Sequence, residues 1–277
     1  MFMRFIPKFI KKIVYSLQEK KKTEFFPVIS KAEEELVRLG TAYGGWSFLD
    51  RHDLRNSTIL SLGAGEDISF DVEFATRYDA KIVIVDPTPR AIEHIRKVRA
   101  RIGLPASREH TKDGDQPPES YDLSDITDEQ ILFIEKAVWK KSGSVKFFKP
   151  NNEKSVSHSI VNFKNDYNTS SQFPHILVPA MTIEEILSVT NMPTPPLLKM
   201  DIEGAELDVL PHMFKRKIFP GQLLVEFDGL ANRDKKNHRL YSKLDALVRD
   251  NGYVCFKFDP PSNLLYARPE LSYTQTK

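Results

Sequence analysis

The sequence predicts an α/β protein: a mostly parallel, seven-stranded sheet with an antiparallel strand in a C-terminal hairpin, and helices on both faces. Three observations lead there. From Thr58 onward, short apolar or β-branched runs alternate with stretches carrying apolar residues at helical spacing. The first two runs stop at turn-forming residues, Gly63 and Gly65 in one and Asp86-Pro87 in the other. The last two, YVCFKF and NLLYAR, stand so close around DPPS that they read as an antiparallel hairpin.

The opening segment, MFMRFIPKFIKKIVYSLQEKKK, places Phe5, Ile6, Phe9, Ile10, Ile13, Val14 and Leu17 on one helical stripe with lysines between them. It reads as a basic amphipathic helix at about residues 3–22, too interrupted by lysine for a signal-peptide core. Two uses stay open: an in-plane contact with anionic lipid headgroups, or docking of the stripe on its own domain or on a partner. KAEEELVRLG is a second helical candidate, ending at Gly40. Residues 1–57 are thus expected to form an N-terminal helical extension, and residues 58–277 the main domain.

TILSLGAG is the first strand, followed by the helix ISFDVEFATRY; KIVIVDPTP is the second, followed by RAIEHIRKVRA. Residues 101–130 are a polar excursion too long for an ordinary connection. QILFIEKAVW is expected as the third strand, SGSVKFFKP as a small β excursion, and the Asn- and Ser-rich stretch after it as an irregular loop. ILVPAM is strand-like and leads into TIEEILSVT, where Thr182 and Glu185 have capping-box spacing. LLKM supplies the fourth strand of the alternation and GQLLVEFDGL the fifth; HRLYSKLDALVRD is the last helix, stopping at Asn251-Gly252.

The 277 residues are 40% hydrophobic, enough for one large core. Forty basic and 38 acidic side chains leave a net charge of +2, so no global attraction to nucleic acid is expected. The single cysteine, Cys255, fits a reducing compartment and rules out a four-cysteine zinc site. The expected location is the cytoplasm, with the N-terminal helix as a route to peripheral contact with the inner membrane face.

Two stretches at the strand ends carry a cofactor signal. In LSLGAGEDISF, Gly63, Ala64 and Gly65 permit a sharp strand-to-helix turn and close approach of a ligand to backbone amides. The third glycine of a pyrophosphate fingerprint is missing, and Glu66 and Asp67 would repel a diphosphate there. They tolerate a ligand bearing ammonium and sulfonium charge. In IVIVDPTP, Asp86, next to Pro87 and about 20 residues past the glycines, stands where an acid accepts hydrogen bonds from ribose hydroxyls.

LGAGEDISFD, IVDPTPRAI, EKAVW, LLKMDIEGAELDVL and LLVEFDG, in that order, resemble the FkbM family of S-adenosylmethionine-dependent methyltransferases over residues 40–267. KMDIEGAE is the most specific piece. The resemblance implies a class I, Rossmann-like methyltransferase fold, S-adenosylmethionine as cofactor, and O-methylation of a hydroxyl on a sugar, glycan or related metabolite. It also implies that Gly63 and Gly65 form the cofactor loop, that Asp86 binds the ribose, and that Ala137 lies at the adenine wall. Ser61 stands where an acid is often found, so YGGW, Tyr43 to Trp46, is a candidate to help hold the methionine end.

Methyl transfer to a hydroxyl needs help in removing its proton. Asp201 ends the fourth strand of the alternation, Glu203 follows, and Glu226 and Asp228 lie two apart in the fifth. Crowded carboxylates raise one another's proton affinity and so yield a general base; the same group with a divalent ion would acidify the bound hydroxyl instead. A third reading has Asp201 as a helix N-cap, with Glu203 and Glu206 favouring the positive helix end. Gly204 suggests close packing. Lys199 alternates with Asp201 and is placed to keep the acids charged, while His158 and His212 are secondary candidates. A noncatalytic scaffold and an N-methyltransferase are the competing functional readings.

Overall fold

The computed structural model describes residue 28 and residues 35–150, 157–232 and 235–269. The amphipathic segment 1–22 lies outside the described residues. Twelve strands and five α-helices are found among them: β1 Leu36–Leu39, β2 Trp46–Leu49, β3 Thr58–Leu62, α1 Ser69–Tyr78, β4 Lys81–Val85, α2 Pro89–Arg99, β5 Ile131–Ile134, β6 Ala137–Val138, β7 Gly143–Phe148, β8 His175–Met181, α3 Ile183–Val189, β9 Leu197–Met200, α4 Glu206–Lys215, β10 Gln222–Glu226, α5 Lys235–Asp250, β11 Val254–Asp259 and β12 Asn263–Ala267.

Seven strands form the central sheet in the order β11-β12-β10-β9-β3-β4-β5. The five from β10 to β5 are mutually parallel, and β12 runs antiparallel to both of its neighbours. This is the expected fold, a class I methyltransferase architecture. The order reverses between β3 and β9: the chain winds outward through β4 and β5, then returns to start again at β9. Such a switch point opens a crevice at the carboxyl ends of the strands.

Side-chain alternation divides the core. Leu60, Leu62, Leu198, Met200, Leu223 and Val225 face one way and pack on α3, α4 and α5 through Ile186, Leu210 and Tyr241. Ile59, Ile82, Leu197 and Leu224 face the other way, against Phe70 and Phe74 of α1, Ile95 of α2 and Phe48 of β2. Full burial of each such side chain stabilises the fold by about 1.5–3 kcal/mol.

Three expected elements differ. Leu36–Leu39, read as the end of a helix, is a strand paired antiparallel with Trp46–Leu49. The described part of the predicted helical extension is therefore a β-hairpin, whose Phe48 and Leu49 are fully buried; packing overrides the helical spacing of the sequence. QILFIEKAVW is not one strand. It splits after Ile134, and Ala137–Val138 joins a second, three-stranded sheet, β6-β8-β7, inserted between β5 and β9. Glu226 and Asp228 do not share a strand: β10 stops at Glu226, and Asp228 opens a 3-10 turn.

Gly63 sets the geometry of the switch point. Its φ is +83°, and a Cβ there would lie 1.7 Å from the carbonyl oxygen of Asp201. The Asp201 amide donates to the Leu62 carbonyl at 2.9 Å, drawing the tips of β3 and β9 together. The expectation of a ligand against Gly63 is thus replaced by contact with the chain itself. Gly63→Ala is expected to cost about 3 kcal/mol or more in urea unfolding. Gly103→Ala, at φ +84° with nothing within 4 Å, is expected to lose only about 1–2 kcal/mol to backbone strain.

Candidate active site

The crevice is a cleft of about 670 Å³, within the usual range for small-molecule sites. All twelve residues selected from the sequence line it: Gly63, Ala64, Gly65, Glu66, Asp67, Asp86, Pro87, Ala137, Asp201, Glu203, Glu226 and Asp228.

On the β3–β4 side, several of these residues already have work within the chain. Asp86 Oδ2 accepts from the Ala64 and Gly65 amides at 2.9 and 3.1 Å, and Oδ1 from the Thr88 amide and hydroxyl at 2.8 and 2.7 Å. That fills the four acceptor positions of a carboxylate. In this structure Asp86 therefore ties the glycine loop to α2, and holding ribose hydroxyls would require giving up some of these bonds. Asp67 accepts from the Thr41 hydroxyl at 2.6 Å and the Ser69 amide at 3.0 Å, which anchors the turn at residues 41–45. Arg38 holds the same turn through the carbonyls of Thr41, Ala42 and Gly45. Glu66 is ion-paired with Arg90. Across the rim, Gly114 leaves room for the ring of Tyr43, so residues 41–45 meet the 101–130 excursion there.

On the β9–β10 side, one carboxylate oxygen each from Asp201, Glu226 and Asp228 lies within 4.8 Å of the others. Asp201 and Glu226 hydrogen-bond to each other, Glu226 accepts from the Ser262 hydroxyl at 2.7 Å, and Asp228 accepts from the Gly204 amide at 2.9 Å. Burial raises the proton affinity of all three, and mutual repulsion adds to it for Asp201 and Asp228. The pair Asp201–Glu226 thus retains a proton above the ordinary carboxylate range.

Glu203 stands apart from these three. It is held at φ +54°, in the left-handed region, and its carboxylate pairs with Lys164 at 3.2 Å. Its carbonyl accepts from the Ser159 hydroxyl at 2.6 Å. Asp201 is not the helix cap, since α4 starts after Ala205 with no side-chain cap. Glu206 is no exposed dipole partner either: it is wholly buried and accepts from the Tyr241 hydroxyl at 2.7 Å. A Cβ at Gly204 would meet Val161 and Phe163 at 2.9 and 3.0 Å, the close packing expected there.

The wall facing the acids comes from the inserted sheet and its loop. His158 stacks on Phe147 with centroids 5.7 Å apart, and Ile160, Phe163 and Lys164 complete it. His212 lies elsewhere, 3.5 Å from Glu184. The sequence did not single out Ser262, which enters because β12 runs against β10 and so begins beside the end of β10, with Asn263 opposite Glu226. The DPPS turn carries the only sequence sign of it.

The model of the methyltransferase FkbM domain matches residues 52–255. The chain belongs to the FkbM methyltransferase family. It is an S-adenosylmethionine-dependent methyltransferase. The residues present fit that cofactor: carboxylates suit its cationic groups, and Ala64, Val85, Pro87 and Ala137 offer apolar surface for adenine. No curated protein sequence matches the methyltransferase significantly. Among solved structures it is similar to a putative caffeoyl-CoA O-methyltransferase from Staphylococcus aureus, with 10% identity, 92% of this chain and 90% of that chain covered, and a TM-score of 0.38. It is also similar to a precorrin-6y C5,15-methyltransferase from Geobacter metallireducens GS-15, with 12% identity, 87% and 98% covered, and a TM-score of 0.39. No helix of the methyltransferase among the described residues is long and apolar enough to cross a membrane.

Burial pushes Glu206 up to about 8 from its ordinary 4.5. The folded state therefore binds a proton that the unfolded chain gives up, and this contribution to stability is complete below about pH 4.5 and lost as pH rises through about 8. In Glu206→Gln the fall in urea stability between these limits should be visibly shallower than in the wild type.

Proposed function

We propose that the protein transfers a methyl group from S-adenosylmethionine to a hydroxyl of a sugar, glycan or related small metabolite, with the Asp201–Glu226–Asp228 group as general base. The observation that carries this reading is the convergence of three buried carboxylates at the tips of β9 and β10, beside the cofactor loop and opposite a wall of aromatic rings and an imidazole. Bound S-adenosylmethionine supplies an electrophilic methyl group on a positively charged sulfur. The protein's own task is to hold the acceptor oxygen in line and take its proton.

Asp201 is the residue best placed for that proton. Glu226 raises its proton affinity by repulsion and is itself held by Ser262, while Asp228 is fixed by the Gly204 amide. Lys164, paired with Glu203, presents a cation on the acceptor side. The flat faces of Phe147, His158 and Phe163 suit the apolar face of a sugar ring, and the acids suit its hydroxyls. The three clustered oxygens also suit a divalent cation, which favours metal-assisted deprotonation as a second reading.

Purified protein with tritiated S-adenosylmethionine and a fractionated extract should label carbohydrate as alkali-stable methyl ethers; label on nitrogen or nucleic acid would reject the O-methyl assignment. With an acceptor in hand, Asp201→Asn should lower kcat by about 10²–10⁴-fold while S-adenosylhomocysteine affinity stays within about threefold. Activity should rise with pH as the cluster loses its shared proton, and Glu226→Gln should move that rise to lower pH by removing the neighbouring charge. Activity that survives chelation supports the base; activity lost and then restored by a divalent ion supports the metal.

A further inference from the structure

Three Lys and Arg side chains line the cleft: Arg38, Lys164 and Lys199. Arg38 is committed to three carbonyls of the 41–45 turn, and Lys164 is paired with Glu203. Lys199 is different. It lies on β9, in register with Ser61 of β3, and is only 3% exposed, on a sheet face otherwise packed with apolar side chains. Its Nζ donates to the Gly63 carbonyl at 2.6 Å and to the Ser61 hydroxyl at 3.4 Å, and sits 5.9 Å from the centre of the Trp46 ring.

An ammonium has three donors, and two of these are used. Among the described residues, no carboxylate comes within the 4.0 Å of an ion pair with it. Asp71 and Asp201 feel its charge only at longer range. A buried cation without a direct counter-ion is costly, and an anion entering from the cleft would relieve that cost.

Position along the sheet edge says which anion. Asp86 and Ala137 lie at β4 and beyond β5, on the far side of β3 from Lys199. An adenosine resting against them would direct the amino-acid end of the cofactor across the glycine loop toward β9, where Lys199 and Trp46 stand. We propose that Lys199 binds the carboxylate of the methionine moiety of S-adenosylmethionine, joining that carboxylate to the Gly63 turn through one ammonium. This inference rests on the family's cofactor and not on the choice of acceptor.

Calorimetry with two ligands tests it. S-adenosylhomocysteine carries the carboxylate; 5′-methylthioadenosine carries the same nucleoside and sulfur without it. Lys199→Met should weaken the first by roughly tenfold to a hundredfold, the range of a hydrogen bond between charged groups, and change the second by less than about threefold. Equal weakening of both ligands would mean that Lys199 only props the glycine loop, and unchanged binding of both would also overturn the assignment. Should the wild type bind neither ligand, the cofactor assignment itself fails. If Lys199→Met does not fold, a crystal structure of the wild type with S-adenosylhomocysteine decides: a carboxylate oxygen at about 2.7–3.2 Å from Nζ supports the proposal, and a carboxylate placed elsewhere ends it.

Discussion

The closest constraint in the molecule is the contact between the backbones of Gly63 and Asp201. It needs a residue without a side chain at the end of β3, a left-handed backbone there, and the hydrogen bond from the Asp201 amide to Leu62. Once these are met, the tips of β3 and β9 are locked at the switch point. The glycine loop then faces the cofactor side, and the Asp201 carboxylate faces β10 and Glu226. Donor side and acid cluster are therefore held by the same joint, so their separation does not depend on the mobility of a loop.

That joint also explains how so many carboxylates share one region. Glu66 and Asp67 are neutralised or hydrogen-bonded within the rim, and Asp86 is saturated by backbone amides and Thr88. Asp201, Glu226 and Asp228 have no such cationic partners at close range, so burial and repulsion leave them holding a proton. Charge that is paired at the rim builds structure, whereas charge left unpaired at the strand tips is available for proton transfer.

Much of this was legible in the sequence where a local pattern coincides with the final environment. The alternation of strands and helices, the closing hairpin and the gathering of Asp201, Glu226 and Asp228 all follow from spacing that the tertiary structure keeps. The misreadings have the opposite origin. Leu36–Leu39 has helical neighbours in sequence but a strand partner seven residues on, at Trp46. Asp86 has the residue type and position of a ribose ligand, yet its oxygens are spent on amides that only the folded loop brings near. Ser262 and Lys164 could not be chosen from spacing, because one depends on the direction of β12 and the other sits in a segment without periodicity.

The inserted sheet β6-β8-β7 supplies one wall of the cleft from a single stretch of chain between β5 and β9. Phe147, His158, Ile160, Phe163 and Lys164 all belong to that stretch, while the glycine loop, Asp86 and the carboxylates of β9 and β10 lie outside it. Evolution can thus rewrite the molecule's taste for acceptors by drift within one contiguous cassette. The donor half, encoded elsewhere, is inherited intact through each such divergence.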